Sequence, residues 1–420
     1  MARRRLYVTP TSVVTVDCAA VDFDLSADQL ALHDAAAALL DRFAGHDALR
    51  ARVGDGVVVG TLPGASGASG ASGPSGSMEG ADSADVQSAP HGYDATVWSA
   101  MADQGWLALE LPEDDGGLGL GAVEVAVLCE QLGRRLVAAP YLPSVVALGA
   151  LCGEEARADS GTKEWREALA AGTAVGCVAF VPRRGQLTAT GTGDAVRLSG
   201  QIGPTVYAPS ADVAIVVTTA DVYGVDLRAA DIGRPAPLAA MDRTRELGEL
   251  TFDGTSARQL GGPDDAALVL DRAATLASAE MLGSADAALS MAVDYAKDRV
   301  QFGKPIGSFQ AVKHMLADAL VDVEGMRSTA YYAAWCAAAG DRDRSVAASM
   351  AKAWCSDASR RVMACGLQVH GGIGFTWEHD MHLYLKRAQL DQVSFGDAAF
   401  HRDRIAGLLR ERLASGQAIT

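Results

Sequence analysis

The sequence predicts a mainly α-helical protein with a central β domain. Three observations carry that prediction. Apolar residues recur at helical spacing through much of the first 170 residues. From about Ala174 to Gly254 the texture changes to short β-branched or alternating runs, broken by Gly, Pro and Asp turns. From Asp264 to the end, long helical periodicity returns. The strands are segregated and do not alternate with helices, which argues against a parallel Rossmann sheet. The expected organisation is an extension over 1–22, an N-terminal helical domain over 23–170, a middle β domain over 171–257 and a C-terminal helical bundle over 258–420.

Residues 26–53 have Leu30, His33, Ala37 and Leu40 at helical spacing, with Ser26 placed to cap the first turn. The segment 64–90, beginning "GASGASGASGPSGS", reads as a flexible Gly/Ser-rich insertion with no means of forming a core. Helical patterning resumes near Tyr93 and runs through Trp106; "ELPEDDGGLGLG" follows as a turn-rich loop, then a helix over Ala122 to Leu136. "AVGCVAFVP", "AVRLSGQIG", "VAIVVTT" and "LGELTF" are the strand candidates. The last third divides into helices over roughly 264–298, 309–340, 343–370 and 397–415.

Composition narrows the function. The chain has 420 residues, 49% of them apolar, enough for two or three packed units. Its net charge of −16 opposes nucleic acid and anionic membrane as partners, since both need a basic surface. No apolar run approaches a membrane span, and the start "MARRRLYV" is followed by too many polar residues for a signal peptide. Seven scattered cysteines without a CxxC pair read as reduced thiols of a cytoplasmic protein, with no zinc site or disulfide frame.

Two glycine-rich helix junctions stand out. In "YAKDRVQFGKPIGSFQAVKH", Arg299 stands where one long helix ends, Lys304 is nearby, and Ser308 is placed to cap the next helix. In "QVHGGIGFTWEHD", Gln368 precedes Gly371 and Gly372. A guanidinium fork suits phosphate, and bare backbone amides approach a pyrophosphate only where no side chain intervenes. The pair of junctions therefore suggests a phosphate-bearing cofactor.

Together with "WLALELPEDDGGLGLG", these stretches resemble the acyl-CoA dehydrogenase family, in its helix–β–helix order, over nearly the whole chain. The resemblance implies an N-terminal helical domain, a middle β-barrel and a C-terminal four-helix bundle. It implies an FAD cofactor and α,β-dehydrogenation of an acyl-CoA thioester, with an electron-transfer flavoprotein as acceptor. By the same match, Arg299, Phe302, Gln310, Gln368, Gly371 and Gly372 face the FAD of a neighbouring subunit.

The sequence also departs from the family. The reaction needs a carboxylate to take the Cα proton. Where many members have a glutamate followed by Gly-Thr, this chain reads "DQVSFGDAAFHR", with Phe395 at the glutamate and Asp397 at the threonine. The family's second base location, counted back from Arg299, is Ala273. Nearby carboxylates are Asp271, Glu280 and Asp397; Glu280 lies two helical turns from Ala273, about 11 Å along the axis. Buried pairing is the expected role of Glu280, and capping that of Asp397. The middle domain keeps Pro182 and Gly185 of the family's flavin-lining loop but not its hydroxyl and carboxylate groups. The leading expectation is a subunit of a heteromeric assembly whose partner supplies the base and flavin cradle. The alternatives are a complete homo-oligomeric enzyme with a displaced base, Asp397 or Glu280, and a non-enzymatic structural paralogue.

Overall fold

A computed structural model describes residues 25–53, 92–181, 187–229 and 233–416. The 1–22 extension, the 64–90 insertion, Pro182 and Gly185 lie outside the described residues.

Helix α1 (Ala27–Phe43) starts on the expected cap: Ser26 Oγ accepts from Gln29 N at 3.2 Å, and Gln29 Oε1 accepts from Ser26 N at 2.9 Å. The run expected to be continuous to 53 breaks after α1, and α2 (His46–Val53) follows. Asp94 caps α3 (Ala95–Asp103), which stops short of Trp106 because Gly105 adopts φ +71°; Trp106–Ala108 is a single 3-10 turn. Next come α4 (Ala122–Arg134), α5 (Tyr141–Ala150), α6 (Glu154–Ala158) and α7 (Lys163–Ala170).

Six strands then form one sheet: β1 (Gly176–Phe180), β2 (Leu187–Thr190), β3 (Val196–Val206), β4 (Val213–Val217), β5 (Val222–Asp226) and β6 (Leu247–Gly261), in spatial order β1-β4-β5-β6-β3-β2. Only β1–β4 is parallel; the other pairs are antiparallel. The long strand β6 joins two wings, pairing with β3 over most of its length and with β5 at its end.

The rest is helical apart from a short antiparallel hairpin pairing Val300–Gln301 with Lys304–Pro305: α8 (Pro263–Asp298), α9 (Gln310–Ala338), α10 (Arg344–His370), α11 (Met381–Asp391) and α12 (Ala398–Ala414). With 36 residues, α8 is about 54 Å long and forms the spine against which α4, α9 and α10 pack. At the α4–α8 crossing the backbones touch. A Cβ on Gly133 would fall 1.9 Å from Glu280 O, and one on Gly283 would fall 1.8 Å from Glu130 O. Ser308 does not cap α9: the chain takes an extra 3-10 turn over Ile306–Ser308, so α9 begins at Gln310 with Phe309 at the capping position. None of the six described cysteines is in a disulfide. Among the described residues, no helix is long and apolar enough to cross a membrane, and no His/Cys/Asp/Glu group could hold a metal.

Candidate functional site

The two junction motifs meet at one edge of the helical bundle. The end of α8, the start of α9 and the end of α10 share a small apolar cluster built on Ala292, Ala296 and Val369, with Ile306 and Val312 against it. The Tyr295 and His370 rings stack 4.6 Å apart and lock the two helix ends together. His370 Nδ1 donates to Gly366 O at 2.7 Å, which fixes its ring. Above this cluster, Arg299, Phe302, Gln310, Gln368, Gly371 and Gly372 are all exposed.

The exposure has a pattern. Phe302 is 92% exposed on a tight turn where it and Gly303 take φ +53° and +76°. Val300, two residues before it, is exposed, as are Ile373 and Phe375 of the second junction. The Arg299, Gln310 and Gln368 side chains have no hydrogen bond or ion pair within the described residues. Gly371 has φ +63°, and nothing lies within 4 Å of a Cβ built on Gly371 or Gly372. The edge thus presents bare backbone, unspent donors and a guanidinium beside apolar side chains. Such a surface offers the donors and open backbone that a phosphate group uses.

The second feature is an open cleft of about 580 Å³ between the sheet and the α11–α12 junction. Val178 and Phe180 of β1 and Ile202 to Val206 of β3 form one side. Leu390, Val393, Phe395, Asp397 and Phe400 form the other. Phe180 and Phe400 meet edge to face across it, 5.7 Å between centroids. Its single carboxylate among the described residues is Asp397, whose Oδ1 accepts from Phe400 N at 2.8 Å and caps α12.

The floor of the cleft is a sharp turn in which Phe395 takes φ +58° and Gly396 φ +94°. A Cβ on Gly396 would strike Phe400 Cδ1 at 2.4 Å. Two buried cation-forming groups stand behind it. Lys352 of α10 is fully buried and donates to Ser356 Oγ (3.0 Å), Gln392 O (3.1 Å) and Gly396 O (2.9 Å). His401 of α12, also buried, donates from Nε2 to Phe395 O at 3.0 Å. Burial pulls the Lys352 ammonium down to about 8 and the His401 imidazole down to about 4.

Beyond Lys352 lies a charged network between sheet and bundle. Arg245 pairs with Glu280 and, at 2.9 Å, with Asp391. Arg387, with no exposed surface, reaches Asp242 (2.9 Å), Glu280 (3.0 Å) and the Thr244 hydroxyl. Burial outweighs the nearby guanidinium of Arg245 and pushes the Asp391 carboxyl up to about 6, with the Glu280 charge adding to the rise. Carboxylates around Arg245 hold its guanidinium above the usual arginine range despite burial.

The remaining candidate residues fall apart from the junction motifs. Ala273 packs in the main apolar core, without a polar function. Asp271 is spent on Arg404 (2.6 Å), Arg344 (3.4 Å) and Ser345 Oγ (2.6 Å). Glu280 is spent on its two arginines. Ala273 and Arg299 are 26 residues apart on α8 and its cap, about 39 Å along the axis. Glu280, on the network behind the cleft, is about 29 Å from Arg299 by the same rise. The network behind the cleft and the arginine edge thus stand at well-separated levels of α8.

Lys352, Arg245, Arg387, Asp391 and His401 did not emerge from the sequence. The available signal was a lone lysine in the small-residue run "SVAASMAKAWCS", a charge on an otherwise buried helix face.

Comparison with known proteins shows what the chain is similar to. The model of the acyl-CoA dehydrogenase C-terminal domain matches residues 262–409, and that of the N-terminal domain matches 79–176. "Acyl-CoA dehydrogenase IpdE2" of Mycolicibacterium smegmatis is 36% identical over 298 residues, 71% of this chain and 82% of the relative. "Acyl-CoA dehydrogenase FadE27" of Mycobacterium tuberculosis is 34% identical over 339 residues, 76% of this chain and 89% of its own. Among solved structures, the ChsE4-ChsE5 complex from Mycobacterium tuberculosis superposes with a TM-score of 0.77 at 27% identity, covering 95% of this chain and 100% of that one. A Tcur3481-Tcur3483 steroid ACAD variant does so with a TM-score of 0.77 at 28% identity, covering 92% and 99%.

Proposed function

This chain belongs to the acyl-CoA dehydrogenase family, and we propose that it serves a heteromeric assembly as the subunit without its own proton acceptor. It lends Arg299, Phe302, Gln310, Gln368, Gly371 and Gly372 to the flavin of a neighbouring chain, and that neighbour supplies the glutamate. The cofactor is FAD, which when bound takes the hydride from Cβ of the thioester.

The observation that carries this reading is Phe395 on the cleft floor. The cleft's one carboxylate among the described residues is an exposed helix cap, and the buried carboxylates nearby are committed to arginines. A neutral aromatic ring excludes water and cannot accept a proton. The arginine edge, by contrast, fits the ADP half of FAD: its guanidinium is unspent and its two glycines leave the backbone open. Arg299 would hold a phosphate by a charge-assisted bond, and the backbone at Gly371–Gly372 would approach it closely.

The ChsE4-ChsE5 relative is a complex, and the Tcur3481-Tcur3483 relative is a steroid ACAD. By extension from them, the acyl group is bulky and ring-bearing. Electrons leave to an electron-transfer flavoprotein, and the assembly works in the cytoplasm.

The test is anaerobic bleaching of flavin absorbance by a panel of acyl-CoA thioesters. The single chain supplied with FAD should not bleach. Mixing with a family member that carries the glutamate should restore bleaching, and that activity should vanish when the partner's glutamate is replaced. A second reading rests on Asp397 lining the cleft: a homo-oligomeric enzyme with a displaced base. Bleaching of the single chain that survives Phe395→Ala and is lost in Asp397→Asn would establish it instead.

A further inference from the structure

We infer that Lys352 and His401 are the positioning residues of the cleft floor, holding the turn at 395–396 so that the side chain at 395 stands in the cleft. The two carbonyls of that turn point away from the cleft into the protein. Phe395 O meets His401 Nε2 at 3.0 Å and Gly396 O meets Lys352 Nζ at 2.9 Å. A third carbonyl, Gln392 O at the end of α11, meets the same Nζ at 3.1 Å. With both carbonyls fixed inward, the two residues take successive left-handed backbone conformations. Glycine adopts that conformation freely, but a residue with a Cβ does so only under constraint. The constraint at Phe395 comes from these two donors.

The arrangement around Lys352 is specific to this task. Among the described residues, all three acceptors of its ammonium are neutral: one hydroxyl and two backbone carbonyls. Asp391 of α11 and Asp397 of α12 act on it through space, and His401 of α12 faces it as a second cation-forming group. Burying an ammonium is costly unless its donors are met. Here the compensation comes from Ser356 on its own helix and from the ends of the turn, so the lysine and the turn order one another. The turn floor is also closed from the cleft side. Phe400 lies where a Cβ at Gly396 would stand, and it contacts Phe180 across the cleft.

The consequence concerns residue 395. In the proposed function it is the residue that makes this cleft inert, and the inference rests on that reading only for this significance. Where its side chain stands is decided from behind, by α10 and α12. The same scaffold would present any side chain at 395 to the cleft.

The experiment reads the chain by itself, without flavin or partner, so it can fail while the functional reading stands, and the reverse. The protein is labelled with fluorophenylalanine at its nine phenylalanines, and the Phe395 fluorine line is assigned by its absence in Phe395→Leu. In Lys352→Met and in His401→Leu the Phe395 line should leave its wild-type position or split, with smaller shifts at Phe180 and Phe400. His401→Gln, which keeps a donor, should return the line toward its wild-type position. The lines of Phe43 and Phe252, on α1 and β6, should not move. A Phe395 line unmoved in both folded variants overturns the inference. So does a shift shared equally by Phe43 and Phe252, which would mark general loosening. If Lys352→Met does not fold, the His401→Leu and His401→Gln pair decides alone by the same criteria.

Discussion

Arg387→Met tests the charged network behind the cleft. Arg387 has no exposed surface and contacts Asp242, Glu280 and Thr244. With Arg245, it balances the carboxylates of Asp242, Glu280 and Asp391. Methionine fills much of the volume but leaves those three carboxylates facing one guanidinium. Removing one partner of a buried ion pair costs about 3–5 kcal/mol, because a buried charge is left uncompensated. For a chain of this size that is roughly 1 °C per kcal/mol, a fall in Tm of about 3–6 °C. The assay is differential scanning calorimetry of wild type, Arg387→Met, Glu280→Gln and the double variant. Glu280→Gln removes one of the surplus negative charges, so the double variant should be markedly more stable than the sum of the two single losses. A fall in Tm below about 2 °C for Arg387→Met, or strict additivity in the double variant, would refute the network's structural role. Glu280 would then be free again to be considered as a displaced base.

The Asp391 carboxyl is raised by burial to about 6 from an ordinary 3.8. A carboxyl raised in the folded state contributes stability that is full below its unfolded value and is lost as pH rises through about 6. This loss runs against the gain from His401, whose lowered imidazole favours the fold as pH rises from about 4 to 6.5, so Asp391→Asn should make Tm rise more steeply with pH than wild type between about pH 4 and pH 6; parallel slopes for the two proteins would contradict the assignment. Arg299→Ala should weaken flavin retention in the mixed assembly by about 10- to 100-fold, from the loss of a charge-assisted bond of roughly 1.5–3 kcal/mol. Gln368→Ala should act in the same direction but less. Flavin titration by fluorescence quenching reads both, and unchanged affinity in Arg299→Ala would remove it from the cofactor's surroundings.

How legible this protein was in its sequence depended on whether chemistry was local or assembled. Helices α1, α4, α8, α9 and α10 were legible because each keeps an apolar stripe between polar residues. Helix α5 was not: it is buried on nearly every residue, which erases periodicity. Strands β2 and β5 were missed for different reasons, β2 being short and mostly exposed and β5 carrying a glycine in a five-residue run. Helix α11 hid between the two motifs that drew attention. The helix-junction residues could be picked out because glycine and arginine at a helix end have a restricted physical use. The capping role of Asp397 and the pairing of Glu280 were also expected from residue type and place, and the geometry agrees. The Lys352–His401 support and the Arg245–Arg387 network could not be read, because their partners are up to 146 residues apart in sequence.

The central claim is that this chain serves a flavin it does not hold by itself. The most direct measurement is the flavin content of the purified protein, alone and after assembly with a glutamate-bearing family member, by absorbance against protein mass. The account predicts essentially no flavin in the chain alone and one flavin for each pair of unlike chains in the assembly, lost from the assembly on Arg299→Ala in this chain. A chain that purifies alone with one flavin per polypeptide, bleached by an acyl-CoA thioester, would contradict it.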